Sequence, residues 1–220
     1  MTSQDLKLDH FKFYDVANQQ AGQIIALQGQ FDQEREQARL TYLNLFANPV
    51  IKNGEALYDK NAHLTWYDLF DPTPDPTRHV KYENQFGHAA CYIGRSYALL
   101  TPTEKYEKGS AFPKGLDHYK VYQVLQGEPL NTGAKLKDQF GEDEPRIYFP
   151  KFFAVPVKKW AQGEVFGINN DSTHLVLYNI YPKTVQKTIK TGDQFGNRYL
   201  HVFRSVLLGV PSLKVNWSEV

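Results

Sequence analysis

Four copies of one spacing constrain this chain more than anything else in it. Gln-Phe pairs fall at 30/31, 85/86, 139/140 and 194/195, separated by 55, 54 and 55 residues. A His-x-x-x-Tyr motif keeps the same beat, as His10/Tyr14, His63/Tyr67, His118/Tyr122 and His174/Tyr178. Pro-x-x-Lys keeps it again, as Pro49/Lys52, Pro102/Lys105, Pro156/Lys159 and Pro211/Lys214. Three separate markers in one order define a fourfold repeat, which has to be recognised before single elements are assigned.

The copies alternate. The first and third open on "LDHFK" and "LDHYK", the second and fourth on "AHL" and "THL". This ABAB pattern predicts a duplicated pair whose unit is two repeats, close to the usual size of a domain. The polar stretch Glu104–Gly115 lies between the halves and reads as a linker. The expected architecture is all-β, with four repeats forming two tandem small barrel or sandwich domains, 1–110 and 111–220. The alternative is a four-bladed β-propeller, although a ring of equivalent blades gives no reason for alternation.

Within each repeat the first strand has a period of two. The first and third residues after the His are Phe11/Phe13, Leu64/Trp66, Tyr119/Val121 and Leu175/Leu177, all apolar or aromatic. They predict the core face. The His, the second residue after it (Lys12, Thr65, Lys120, Val176) and the Tyr share the opposite face. A second strand runs into Gln-Phe, where the Phe reads as a core plug. Gly87, Gly141 or Gly196 then supplies the positive φ of a tight turn, with Asp32 in that place in the first repeat. A third strand precedes each Pro, which has no N–H to give a ladder and should mark a strand end or edge.

These motifs resemble an uncharacterised family of bacterial repeat domains, known only as a domain of unknown function and often secreted. Its members carry patterns such as His-Tyr-Lys-Cys-Tyr, Asp-Gln-Phe-Gly and Leu-Leu-Cys-x-Pro. The likeness runs through all four copies and implies an architecture, with no activity attached. The resemblance places the family's first Cys at Phe13, Trp66, Val121 and Leu177, and its second at Ala47, Leu100, Ala154 and Gly209. In three repeats a larger side chain then stands against a very small one, as a volume-conserving replacement of a buried cystine would require. Trp66 with Leu100 departs from this and implies extra room in the second repeat. Losing every bridge fits a reducing compartment.

Charge and composition narrow the function classes. Lys and Arg total 25 against 24 Asp and Glu, which provides no field for nucleic acid. No run of about 18 apolar residues exists for membrane insertion. The start "MTSQDLKLDH" is not a signal peptide. The expected location is cytoplasmic if Met1 is the native start; the alternative is a secreted mature form whose signal has been removed.

Four equivalent His suggest a metal, yet each repeat offers one, with no Cys or recurring carboxylate at ligand spacing. No metal or cofactor is expected. The expected role of each His is a structural bond within its own repeat, and the recurring lysines read as edge-strand guards. The one cluster that breaks symmetry is "RHVKYENQFGHAACYIGR", with His79, His88 and Cys91. On a strand His88 and Cys91 point to opposite faces, so they do not form a nucleophile pair, and no catalytic residue is expected. The reading is a non-enzymatic structural or assembly module with protein partners or self-assembly. The alternative is a lectin-like module that binds glycan through repeated aromatic platforms. The recurring face for binding is His10, Tyr14, His63, Tyr67, His118, Tyr122, His174 and Tyr178.

Overall fold

A computed structural model describes residues 2–220. A one-turn helix, α1 (Ser3–Leu6), is started by Thr2 in a capping box with Asp5. The rest is β structure. The first repeat forms β1 (His10–Gln20), β2 (Ile24–Gly29) and β3 (Glu36–Lys52), and the second forms β4 (His63–Phe70), β5 (Arg78–Asn84) and β6 (Gly87–Lys105). The third forms β7 (His118–Gly127), the short β8 (Thr132–Gly133), β9 (Leu136–Asp138) and β10 (Gly141–Asp143), then β11 (Arg146–Ala161) and β12 (Glu164–Phe166). The fourth forms β13 (Thr173–Ile180), β14 (Thr184–Asp193) and β15 (Gly196–Glu219).

The first and last long strands of every repeat join one antiparallel circuit. It runs β1–β3–β4–β6–β7–β11–β13–β15 and returns to β1, while β2, β5, β8–β10, β12 and β14 lie off it. Full closure removes the exposed edges that an open sheet must protect. Eight strands also leave an interior that side chains alone can fill. That interior holds all eight residues expected on the core face, packed with Ala47, Ala98, Leu100, Phe152 and Ala154. The positions that the resemblance gives to cystines are cross-strand neighbours. Phe13 pairs with Ala47, Trp66 with Leu100 and Leu177 with Gly209. The register that sets Lys120 against Val155 puts Val121 opposite Ala154. Room at these positions is limited: a Cβ on Gly209, the partner of Leu177, would sit 3.0 Å from the Phe13 ring. Trp66 finds its room towards Phe152 and Tyr97, with ring centroids 5.0 and 6.2 Å away.

Each Pro lies within a strand, two residues beyond the last pair made with the next strand of the circuit. Those last pairs involve Ala47, Leu100, Ala154 and Gly209. The missing N–H thus falls where the ladder has ended on that side. Past the Pro, each third strand leaves the circuit and pairs with the hairpin two repeats away: β3 with β9, β6 with β14, β11 with β2, and β15 with β5.

This exchange corrects two expectations. The sheet has no break at 110/111, because β6 pairs β7 and β15 pairs β1 across it, and every apolar cluster draws on both halves. The halves are symmetric parts of one circuit rather than bodies side by side. Nor are the repeats blades, since strands pair between repeats as extensively as within them.

Candidate functional site

The His-Tyr face is a second buried layer. All eight residues are at most 6% exposed. The reason is the Gln-Phe turn, which folds onto this face from another repeat.

Each turn places its Phe edge-on against a Tyr two repeats away. The centroid distances are 5.0 Å for Phe140 on Tyr14, 5.3 Å for Phe195 on Tyr67, 5.4 Å for Phe31 on Tyr122 and 5.8 Å for Phe86 on Tyr178. The Tyr hydroxyls meet the polar residue of the same turn. Tyr14 donates to Asp138 and Tyr67 to Asp193, each at 2.5 Å, while Tyr178 accepts from Asn84 at 3.2 Å. Burial and then the neighbouring carboxylates push the Tyr14 and Tyr67 phenols far above their ordinary range. Asp138, Asp193 and Asn84 also accept the N–H of the residue two places on, which folds the turn. Gly87, Gly141 and Gly196 then take φ of +104°, +129° and +116°. The first repeat differs, since its Asp follows the Phe and takes no positive φ. Asp32 reaches back to the Gly29 N–H at 2.7 Å and still lies 3.5 Å from the Tyr122 hydroxyl.

In two of the four turns the Gln bonds both the His and the Lys of the preceding repeat. Gln85 bonds His10 and Lys52 together, and Gln30 bonds His174 and Lys214 together. Gln139 bonds Lys105. Gln194 stands beside His118, but neither its amide nor the Lys159 amine finds a hydrogen-bond partner. Each ammonium also lies over the turn's Phe, at 4.7 Å (Lys52–Phe86), 5.1 Å (Lys105–Phe140), 5.0 Å (Lys159–Phe195) and 4.9 Å (Lys214–Phe31). These lysines are therefore not edge guards: Lys52, Lys105 and Lys159 are at most 5% exposed. The His ties are of both kinds: His10 and His174 meet the Gln of another repeat through Nε2 and a neighbour of their own, Ser3 or Ser172, through Nδ1. Burial drives the imidazoles of His10, His63 and His174 down to about 3 and that of His118 well below its ordinary value. It lowers Lys52 and Lys159 too, and Lys214 to about 8.

The alternation between repeats has an electrostatic cause. Only the first and third carry Lys at the second position after the His. Lys12 pairs with Asp143 of the third repeat. Lys120, fully buried, lies 2.8 Å from Glu36, 3.3 Å from Asp32 and 3.3 Å from Asp71. Burial opposes its charge, yet Tyr122 and the carboxylates around it hold its pKa above the usual lysine value. In the "LDH" openings, Asp9 accepts the Tyr58 and Asp59 N–H groups, and Asp117 accepts those of Asn169 and Asn170. A cleft of about 290 Å³ opens between these two clamps.

Cys91 is buried in an apolar cluster, and burial pushes its thiol up to about 12. His88 is 79% exposed on its side chain, so the two do not meet. Among the described residues no group of three or more His, Cys, Asp or Glu is placed to hold a metal ion, and no helix is long and apolar enough to cross a membrane.

A family model described as a repeat of unknown function (DUF7450) matches residues 63–211. The chain belongs to this family. The match begins at the His of the second DUF7450 copy and ends at the Pro of the fourth, two of the markers that recur in all four. No curated protein and no solved structure matches the chain.

Proposed function

We propose that this DUF7450 chain is a non-enzymatic structural module that joins a larger protein assembly, through a second copy or another protein. The observation behind this reading is how the polar chemistry is used. Apart from His63 Nδ1, Lys159 and Gln194, the recurring His, Lys, Gln and Asp groups are spent on one another beneath the turns, while large apolar side chains remain outside. On β15, Leu200 and Val202 face inward, and Tyr199 and Phe203 stand 61% and 46% exposed on the outer face. A row of aromatic residues on a closed, rigid sheet suits a protein contact. Light scattering coupled to size exclusion over a concentration series tests self-assembly, and Tyr199→Ser with Phe203→Ser tests the surface. A native mass above one chain that the double variant abolishes supports the proposal. A monomer at every concentration, with no partner lost from the double variant in a pull-down, would sink it.

The cleft between the Asp9 and Asp117 clamps favours the lectin-like reading in one respect. There Tyr58 is 49% exposed beside Asp59, Lys114, Asn169 and Asn170, an aromatic surface next to polar groups. A glycan array decides it: saturable binding lost in Tyr58→Ala supports this reading, and an empty array removes it.

A further inference from the structure

Around Lys52 a nucleophile, an acyl group and an orienting imidazole are assembled out of water. The Lys52 amine donates to Oε1 of Gln85, and Nε2 of Gln85 faces Nε2 of His10. Lys52 and His10 are each 3% exposed, with the Phe86 ring 4.7 Å from the amine. A carboxamide nitrogen only donates, so His10 Nε2 carries the lone pair, and its Nδ1–H donates to Ser3 Oγ at 2.9 Å. That bond fixes the imidazole with its basic nitrogen against the carboxamide nitrogen. Among the described residues no carboxylate lies within ion-pair distance of Lys52; burial lowers its pKa against the opposing charge of Glu55, which raises the share of neutral, nucleophilic amine.

We propose that Lys52 and Gln85 condense, once the fold has closed, into an ε-(γ-glutamyl)lysine isopeptide bond that locks the first repeat to the second. Nζ of Lys52 attacks Cδ of Gln85 and forms the new C–N bond. His10 Nε2, which accepts from Nε2 of Gln85, orients the carboxamide, and the proton lost by the attacking nitrogen ends on Nε2 of Gln85. The old C–N bond breaks and ammonia leaves. One primary amide and one amine become one secondary amide plus ammonia, with no oxidant, reductant or external reactant, and His10 ends as it began. Proximity supplies the rate, because the Lys52 amine is held in hydrogen-bond contact with the Gln85 carboxamide, and His10 holds that carboxamide in place.

The same three groups meet at Lys214, Gln30 and His174, where His174 Nδ1 donates to the Ser172 carbonyl at 3.0 Å. Gln30 is exposed, so water competes there and the bond forms more slowly. The other two copies lack a requirement. Lys105 is paired with Glu107 at 3.0 Å, and Lys159 makes no bond to Gln194.

Intact mass spectrometry of the natively purified full chain, denatured just before injection, provides the test. The expected mass is at least one ammonia below that of the sequence, with a tryptic branched peptide joining Lys52 to Gln85 and no cleavage after Lys52. Lys52→Arg keeps the cation and the hydrogen bond but cannot form the amide, and it should restore one ammonia. Gln85→Glu should lose water in place of ammonia. His10→Ala should slow the appearance of the deficit in the folded protein. A wild-type mass equal to that of the sequence overturns the proposal without any variant. So does a deficit that Lys52→Arg leaves undiminished, or one that maps to neither Lys52–Gln85 nor Lys214–Gln30.

Discussion

Lowering the pH should unfold this protein earlier and more steeply than acid unfolds a typical domain, because the folded state excludes protons from its histidines. Burial holds His10, His63 and His174 at about 3, against about 6.5 in an unfolded chain. A group whose folded pKa is depressed contributes stability that is complete above its unfolded pKa and lost as the pH falls. Here the loss begins near pH 6.5 and continues to about pH 3, at about 1.4 kcal/mol per pH unit for each His. His118 acts in the same direction, which makes four. Asp9 opposes them: burial raises it to about 6, so below that pH the folded state holds a proton that the unfolded chain lacks until near pH 4. Burial raises Glu36, Asp68, Asp117 and Asp193 in the same sense as Asp9, so the net uptake by the four histidines is largest just below pH 6.5 and shrinks as these carboxyl groups begin to titrate. Each net proton taken up removes about 1.4 kcal/mol per pH unit from a stability of about 5–15 kcal/mol, which moves the acid transition to higher pH than in a domain whose histidines are exposed.

Urea titrations followed by tryptophan fluorescence, at half-unit steps from pH 7.5 to 4, measure that slope directly. His63→Gln should lower the uptake by one proton, since His63 stacks on Phe46 at 5.5 Å and leaves Nδ1 without a bond to lose. A free energy of unfolding that stays flat from pH 7 to pH 4.5 would refute the reasoning. So would an uptake of less than one proton.

Two further outcomes follow from the pairing. Val121→Cys with Ala154→Cys should form a disulfide under mild oxidation, since the register sets these positions face to face; two free thiols beyond Cys91 after oxidation would contradict that register. Chains cut to 1–110 and 111–220 should each lack a cooperative melt and regain one when mixed, because in each piece two of the four ring strands lose a partner and every overhang loses the hairpin that pairs it; a cooperative melt from either piece alone would show that the circuit is not the folding unit.

The interior of the circuit was legible from a period of two, and Phe11, Phe13, Val121 and Leu177 all fall where that period places them. So was the turn, since Asp-Gln-Phe-Gly carries its own local chemistry in the Asp138 bond to the Phe140 N–H and in the φ of Gly141. What covers the opposite face was not legible. Tyr14 meets Phe140 and Asp138, more than a hundred residues on, and no local pattern states which turn will cover which tyrosine. The lysines misled for the same reason: a Lys near a strand end suggests a guarded edge, and only the distant turn shows that Lys52 is enclosed. The ABAB alternation was visible, but its cause lies in charges that face each other across the circuit, Lys12 to Asp143 and Lys120 to Asp32, Glu36 and Asp71.

Strand length is the sequence-level quantity that separates one circuit from two domains. The first strands of the repeats hold 11, 8, 10 and 8 residues, whereas the last hold 17, 19, 16 and 24. A strand about twice as long as its partner has unpaired N–H and C=O groups along its overhang, and these are costly unless a second partner meets them. A two-repeat domain has few elements to supply that partner, because its own hairpins are engaged at the near end of the strand. The opposite repeat supplies it here, with β2 along Val157–Trp160 of β11 and β5 along Ser212–Glu219 of β15. The Pro at the branch point makes the handover possible. It closes the ladder on the side of the circuit without leaving an N–H unsatisfied, and the strand then runs out under the turn of another repeat. The same overhang carries each Lys to the Gln-Phe it encloses, so the exchange that joins the halves also builds the buried His-Gln-Lys groups.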